Sequence, residues 1–101
     1  MQTYIMLAKL TAKGREDIRG IMERRQRNLQ ELQARGIRIV ADYAVLGPYD
    51  FVYIIEAPDN ETIVRQIVKD SGSGHLEFHT MLAVPLDKFE QLTKDVTRRE
   101  S

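Results

Sequence analysis

The sequence predicts a single α+β domain with the order β-α-β-β-α-β and a short C-terminal helix. Three observations predict this fold. They are apolar runs of strand length, segments in which apolar residues recur with the period of a helix, and turns rich in Gly and Pro between them. The length of 101 residues suits one compact domain, 1–101, with one hydrophobic core.

The first strand is predicted at residues 3–10, where a nearly continuous apolar run indicates a central strand. The first helix is predicted over residues 15–35, because apolar residues recur there with a helical period that Arg25 interrupts. Gly36 follows at the position where a left-handed cap forms most easily, so the helix is expected to end there. The apolar row of this helix is Ile18, Ile21, Met22, Leu29 and Leu32.

The second and third strands are predicted at residues 37–46 and 51–57, joined by a turn with Gly47 and Pro48 into a hairpin. The second helix is predicted to begin after Asp59, whose side chain can cap the free backbone amides. Its buried side is predicted to consist of Ile63, Val64, Ile67 and Val68.

The fourth strand is predicted at residues 75–84, and an apolar stripe then indicates the terminal helix. That stripe consists of Phe89, Leu92 and Val96. This order is that of a ferredoxin-like plait, in which a four-stranded antiparallel sheet carries both main helices on one face. The other face is left open.

The open face is the feature that bears most on function. We predict that the more uniformly apolar set of the hairpin, Tyr43, Val45, Val52 and Ile54, packs beneath the helices. The open face then receives Leu46, Phe51, Tyr53, Ile55 and Met81, together with the polar residues Asp42, Glu77 and His79. Such an apolar patch predicts a homodimer formed through the open face of the sheet. Between the two sheets we expect a cavity for a small molecule, lined by Asp42, Tyr53, Glu77 and His79.

The segment Gly47-Pro48-Tyr49-Asp50, followed by the strand that begins at Phe51, resembles the Gly-x-Tyr-Asp signature of the GYD domain family. The resemblance covers roughly residues 2–90. It implies the dimeric α+β barrel superfamily, which includes cofactor-independent monooxygenases, isomerases, haem-binding enzymes and ligand-sensing domains. The signature itself implies no catalytic role for any residue.

The candidate site residues have a functional and a structural interpretation. Tyr49 and Asp50 can orient a polar ligand at the mouth of the cavity, or they can simply shape the hairpin turn. His79 can act as a general base, because the pKa of a histidine ordinarily lies near neutrality, or it can be an interface residue. A metal site is not expected, because His75 and His79 would stand about 13 Å apart on one strand and cannot share an ion.

Composition excludes several other classes of function. The absence of cysteine rules out disulfides, thiolate zinc sites and a cysteine nucleophile. Fifteen basic and fifteen acidic side chains give zero net charge, and no aromatic residue lies among Arg24, Arg25 and Arg27, so nucleic-acid binding is not expected. No apolar run approaches the roughly 20 residues needed to span a bilayer, so no membrane association is expected and the predicted location is the cytoplasm.

Two main functional hypotheses follow from these residues. The first is a small homodimeric module that binds a small molecule or serves a structural role, with no cofactor. The alternative is a cofactor-independent enzyme, resembling a monooxygenase or an isomerase, with His79 as the general base. A third and weaker hypothesis is a module for protein interaction. The sequence does not decide whether the protein is an enzyme.

Overall fold

The computed structural model describes the backbone of residues 1–100 and the side chains of residues 1–96. It contains four strands and four helices in the order β-α-α-β-β-α-β-α. The elements are β1 (Gln2–Leu10), α1 (Ala12–Glu16), α2 (Ile18–Ala34), β2 (Arg38–Ala44), β3 (Phe51–Ala57), α3 (Asn60–Ser71), β4 (Leu76–Ala83) and α4 (Leu86–Glu100).

The strands form one antiparallel sheet in the order β2-β3-β1-β4. β1 therefore lies inside the sheet, and β2 and β3 form a hairpin, as the sequence predicts. The ferredoxin-like fold class is confirmed. β2 also contains an irregularity between Ile39 and Ala41 that the sequence did not indicate.

The core lies between this sheet and the helices. From Tyr4 to Leu10 the even-numbered side chains of β1 are buried, whereas Ile5 and Leu7 are only half-buried, so the two faces of the strand are distinct. The core cluster consists of Tyr4, Met6, Ile37, Ile55, Ala57 and Ile63. The face that carries Tyr4 and Met6 is called the covered face below, and the other is called the open face.

The predicted assignment of the two faces was wrong for the hairpin. The register pairs Met6 with Tyr53 and Asp42 with Tyr53, so both residues of the hairpin lie on the covered face. Phe51 and Ile55 share that face because side chains alternate along a strand. The residues placed beneath the helices by prediction, among them Tyr43, Val52 and Ile54, lie on the open face instead.

The first predicted helix is in fact two helices. The backbone of Asp17 leaves the helical conformation, with φ of −127° and ψ of 34°, and so separates α1 from α2. The predicted caps are confirmed. Gly36 has φ of +80° beyond the end of α2, and the amide of Ile37 donates to the carbonyl of Leu32 at 2.9 Å. The Asp59 side chain accepts a hydrogen bond from the amide of Thr62 at 2.8 Å.

Helix α3 differs from prediction in the side that it buries. On α3 the inward row contains Ile63 and Gln66, while Val64 and Val68 are exposed. The terminal helix α4 extends from a molecule that measures 57 × 32 × 20 Å, and its apolar residues Phe89 and Val96 remain more than half exposed. Within the part of the chain that the structure describes, no helix is both long enough and apolar enough to cross a bilayer.

Candidate functional site

A cavity of about 640 Å³ lies between α2, α3 and the covered face of the sheet. Most of its exposed wall area is apolar, and polar and charged side chains of α2, α3, β2 and β3 also line it. Apolar walls with polar groups that can orient a ligand are typical of a small-molecule site. The apolar part includes Met6, Leu29, Leu32, Phe51, Ile55 and Phe78. The polar part includes Arg25, Asp42, Tyr53, Gln66 and Asp70.

The cavity exists because α2 stands away from the sheet. None of the 17 residues of α2 is fully buried. Polar links hold the helix to its neighbours instead: Lys69 Nζ of α3 lies 2.6 Å from Glu31 Oε2, and Arg35 Nη1, just beyond the end of α2, donates to Gln66 Oε1 at 2.7 Å. Long polar side chains span a gap that close apolar packing would have filled.

One side of the cavity is formed by Arg25, Asp42 and Tyr53. Arg25 Nη2 donates to Asp42 Oδ2 at 2.6 Å, which ties α2 to β2. Burial raises the pKa of Tyr53 to about 12, and the nearby Asp42 carboxylate adds to the rise. The Tyr53 side chain therefore remains a neutral phenol, and its hydroxyl has no hydrogen-bond partner among residues 1–96.

The other side of the cavity is formed by Gln66 and Asp70, one turn apart on α3. Gln66 is only 5% exposed, and its Nε2 donates to Asp70 Oδ1 at 2.9 Å. Burial raises the pKa of Asp70 above its ordinary value, although the hydrogen bond from Gln66 opposes the rise. This carboxylate forms no ion pair with any side chain of residues 1–96, so Oδ2 remains available for a ligand.

The structure divides the predicted site residues between the two faces of the sheet. Asp42 and Tyr53 lie on the covered face, whereas Glu77 and His79 of β4 lie on the open face opposite Lys9 and Leu7. The four residues therefore cannot line one cavity between two sheets, because the sheet itself separates them.

The turn residue Tyr49 reaches the open face and contacts His79. The ring centroids are 5.5 Å apart, and the ring planes meet at 72°, which is an edge-to-face arrangement. Asp50 is directed to the backbone of β1, where its amide donates to the carbonyl of Ala8 at 2.9 Å. Of the predicted residues, the structure thus brings together Tyr49 with His79, and Asp42 with Tyr53.

Sequence reasoning missed the contributions of Arg25, Gln66 and Asp70. A signal for the first was present, because Arg25 interrupts an otherwise apolar row, and the structure places it against Asp42. The signal for the other two is weaker. Gln66 and Asp70 are spaced one helical turn apart. The side of the helix that carries the neighbouring valines is more apolar, however, and was therefore predicted to be the buried one.

A second polar cluster lies at the junction of α1 and α2. Asp17 Oδ2 lies 3.0 Å from His75 Nε2 and 3.1 Å from Arg24 Nη2, and its hydrogen bond with Arg24 is the main cause that lowers the pKa of Asp17. The cluster fixes the end of the loop after α3. Among the described residues, no group of three or more His, Asp or Glu side chains is arranged to hold a metal ion.

These features define a ferredoxin-like α+β domain with a cavity beneath its helices. The sequence matches the GYD domain family over residues 4–93, so the chain belongs to the GYD domain family. The family resemblance of the turn at Gly47, Tyr49 and Asp50 is thereby confirmed.

Comparison with individual proteins adds three relatives. The chain is 41% identical over 87 residues to a protein of Thermus thermophilus named "Glutamine synthetase and cystathionine beta-lyase binding protein", covering 85% of this chain and 92% of the relative. The fold of this protein is similar to that of MtbAldR, with a TM-score of 0.63 and 15% sequence identity. The match covers 82% of this chain and 51% of the MtbAldR chain. The structure of FFRP-DM1 matches with a TM-score of 0.57 and 23% identity, over 83% of this chain and 100% of that protein. The two structural matches concern the fold alone.

Proposed function

We propose that this protein is a homodimeric binding module that holds a small, partly apolar molecule in the cavity between its helices and its sheet. The observation that carries the proposal is the inward placement of Gln66 and Asp70 opposite Tyr53, in a cavity whose other walls are mainly apolar. Gln66 and Asp70 bond to each other, and Asp70 Oδ2 and the Tyr53 hydroxyl are left as the polar groups that a ligand could bond. The proposed site thus lies beneath the helices and not between two sheets.

A retained ligand provides the test of this cavity. Native mass spectrometry of untagged protein, purified without additives, is expected to show a reproducible mass above that of the 11.7 kDa chain or its multiples. Leu32→Trp places a larger side chain in the cavity wall and is expected to abolish the extra mass. Leu46→Trp is the matched control, because Leu46 is fully exposed in the turn. Retention of the extra mass by Leu32→Trp would contradict the proposal.

The open face supports the homodimer. Five apolar residues lie next to one another on β1, β3 and β4, and a soluble protein ordinarily covers such a surface. They are Ile5, Leu7, Val52, Ile54 and Met81. Two such faces packed against each other would bury the patch of both copies, which is how the dimeric α+β barrel expected from the sequence would form.

Substitution on this face tests the dimer. The unmodified protein is expected to have twice the chain mass in light-scattering measurements, and Ile54→Lys is expected to reduce it to the mass of one chain. Val64→Lys introduces the same charge on the exposed outer side of α3 and is expected to leave the dimer intact. A monomeric unmodified protein would overturn the proposed dimer.

Protein binding is a second candidate function, favoured by α4 and by the name of the Thermus thermophilus relative. Leu86, Phe89, Leu92 and Val96 give α4 an apolar stripe, and all four are exposed. We propose that this stripe docks on a folded enzyme, since an amphipathic helix can lay its apolar side in a groove of a partner. The alternative partner for this stripe is a second copy of this chain.

Purified glutamine synthetase and cystathionine beta-lyase of Thermus thermophilus are the probes for this candidate. Binding by calorimetry is expected for either enzyme and is expected to be lost in Phe89→Asp. Lys94→Gln is the control, because the one ion pair of Lys94 within residues 1–96 is an exposed contact with Glu90 at 3.3 Å. If Phe89→Asp instead halves the mass of the protein alone, the stripe covers a second copy and not an enzyme.

The enzyme alternative is a proposal for the open face. His79 as general base would have Tyr49 beside it, while Asp42 and Tyr53 lie on the other side of the sheet. Conversion of the retained molecule by the unmodified protein but not by dimeric His79→Ala would support it, and equal conversion would contradict it. The cytoplasmic location stays a prediction from the sequence.

A further inference from the structure

The orientation of α3 bears on what the cavity binds. The helix turns Ile63, Gln66 and Asp70 toward the sheet and leaves Val64 and Val68 57% and 68% exposed. The inward side also carries Ile67, which packs against the core. A rotation of the helix that buried Val64 and Val68 beside the two isoleucines would bury more apolar area and bring the polar pair to the surface, because apolar burial is favourable. The observed orientation therefore indicates that the polar pair has a role inside the cavity.

One carboxylate in the cavity lining has no direct ion pair within residues 1–96, although the charges of Lys69 and Arg35 act on it from a greater distance. Two of the three acidic side chains in the lining are already paired: Asp42 with Arg25 at 2.6 Å and Glu31 with Lys69 at 2.6 Å. Asp70 is the third, and it has only the neutral amide of Gln66 as a side-chain partner within residues 1–96. A half-buried carboxylate with one unused oxygen is matched by a cation that brings its own hydrogen-bond donors.

Aromatic rings line the same cavity as Asp70. The Tyr53 and Phe51 rings are 6.4 Å apart, and Phe78 joins them in the lining. Asp70 and Tyr53 both line this cavity. Aromatic faces attract ammonium groups, and the Tyr53 hydroxyl adds an acceptor. The same rings also provide apolar area for the rest of the ligand.

We propose that the cavity binds a small amine, whose ammonium group pairs with Asp70 and whose apolar part lies against Met6, Leu32 and Ile55. This inference rests on the proposed function, since it names the ligand class of that same cavity. Three of the four Arg and Lys side chains in the lining, Arg24, Arg25 and Lys69, are neutralised by carboxylates, so they repel such a ligand only weakly. The fourth, Arg27, is exposed on α2.

The test compares three ring compounds of nearly equal size and different charge: benzylamine, benzyl alcohol and benzoate. Binding to the full-length protein is followed by ligand-observed NMR at neutral pH. Benzylamine is expected to bind about tenfold more tightly than benzyl alcohol, since a hydrogen bond between charged groups exceeds a neutral one by that order. Benzoate is expected to bind more weakly than either.

Two variants locate the charge preference. Asp70→Asn is expected to reduce the affinity for benzylamine to that for benzyl alcohol, while the affinity for benzyl alcohol stays the same. Glu61→Gln removes an equal charge from the same helix at an exposed position and is expected to leave the preference intact. Circular dichroism confirms that both variants are folded. If Glu61→Gln also removes the preference for benzylamine over benzyl alcohol, that preference comes from attraction between the ammonium group and acidic residues in general, and the inference is overturned.

The failure of this inference differs from the failure of the proposed cavity. One outcome would overturn the preference for an amine and still support the cavity as a binding site. In that outcome benzylamine and benzyl alcohol bind with equal affinity, and Leu32→Trp abolishes the binding of both. If the protein retains an extra mass but binds none of the three compounds, the amine proposal is likewise overturned and the cavity remains a binding site. No binding together with no retained mass would overturn both.

Discussion

Asp50 accepts a hydrogen bond from the backbone amide of Leu10 through its Oδ2, at 2.7 Å. Its own amide donates to the carbonyl of Ala8, and its carbonyl accepts from the amide of Val45, both at 2.9 Å. The side chain thus bonds to β1 beyond the Ala8–Phe51 pair, where β3 begins. The Asp of the family signature thereby fixes the hairpin turn to the neighbouring strand.

Replacing this carboxylate tests its structural role. Asp50→Ala leaves the Leu10 amide without its acceptor and is expected to lower the free energy of unfolding by about 1–3 kcal/mol. Asp50→Asn keeps an oxygen at the same place and is expected to retain most of the stability. Urea denaturation of the two variants measures the difference. Equal losses in both would show that the charge, and not the acceptor, matters.

Gly14 lies closer to a neighbouring backbone atom than any other glycine of the chain. A Cβ atom at this position would lie 2.0 Å from the carbonyl oxygen of His75. Gly14→Ala is therefore expected to push the loop before β4 away from α1 and to cost about 1–3 kcal/mol. Gly72→Ala is the control, because Gly72 has right-handed helical φ and its nearest atom would lie 3.2 Å away. Thermal denaturation that lowers the Tm of both variants equally would contradict this explanation.

The Tyr49–His79 contact depends on the rings and not on the phenol hydroxyl. Tyr49→Phe is expected to leave stability and ligand retention unchanged, whereas Tyr49→Ala is expected to cost about 0.5–1.5 kcal/mol. A double-mutant cycle with His79→Ala measures the coupling between the two side chains. Loss of the retained ligand in Tyr49→Phe would instead support the predicted role of the hydroxyl at a binding site.

Asp70 is expected to reduce the stability of the ligand-free protein at neutral pH. Burial holds its pKa above the ordinary value of 3.8, with Glu31 adding to the rise and Gln66, Lys69 and Arg35 opposing it. An acid with a raised folded-state pKa binds its proton more tightly when folded, so stability falls as pH rises from 3.8 through the folded pKa.

Asp70→Asn is therefore expected to have a higher Tm than the unmodified protein at neutral pH. The difference should shrink as pH falls toward 3.8, where the unmodified carboxyl group also becomes neutral. Differential scanning fluorimetry at several pH values measures this trend. A lower Tm at every pH would mean that the variant lost packing or hydrogen bonds and did not merely lose a buried charge.

The sequence was sufficient for the fold because local signals agree with it. The Gly36 and Asp59 caps, the Gly-Pro turn and the alternation of the strands each have a short-range cause, and each is confirmed. The break at Asp17 was not predicted. It depends on contacts with Arg24 and with His75, which lies 58 residues further along the chain.

The faces of the sheet could not be assigned from apolarity. Prediction placed the more apolar set, such as Val52 and Ile54, beneath the helices, but the helices cover Asp42 and Tyr53 instead. The rule that the more apolar face packs beneath the helices fails in this protein. Its open face is apolar enough to be buried in an interface, and its covered face carries the polar residues of the cavity. The same criterion favoured Val64 over Gln66 on α3, for the same reason.

The polar attachment of α2 has a consequence for how the protein responds to salt. Ion pairs such as Glu31–Lys69 and Arg25–Asp42 link the helix to α3 and β2, and dissolved ions screen such pairs far more than they weaken apolar packing. Raising the ionic strength should therefore speed amide hydrogen exchange in α2 while the sheet stays protected. Helix α2, which covers the cavity, therefore loosens as salt screens its ion pairs, whereas the sheet stays protected until the whole domain unfolds.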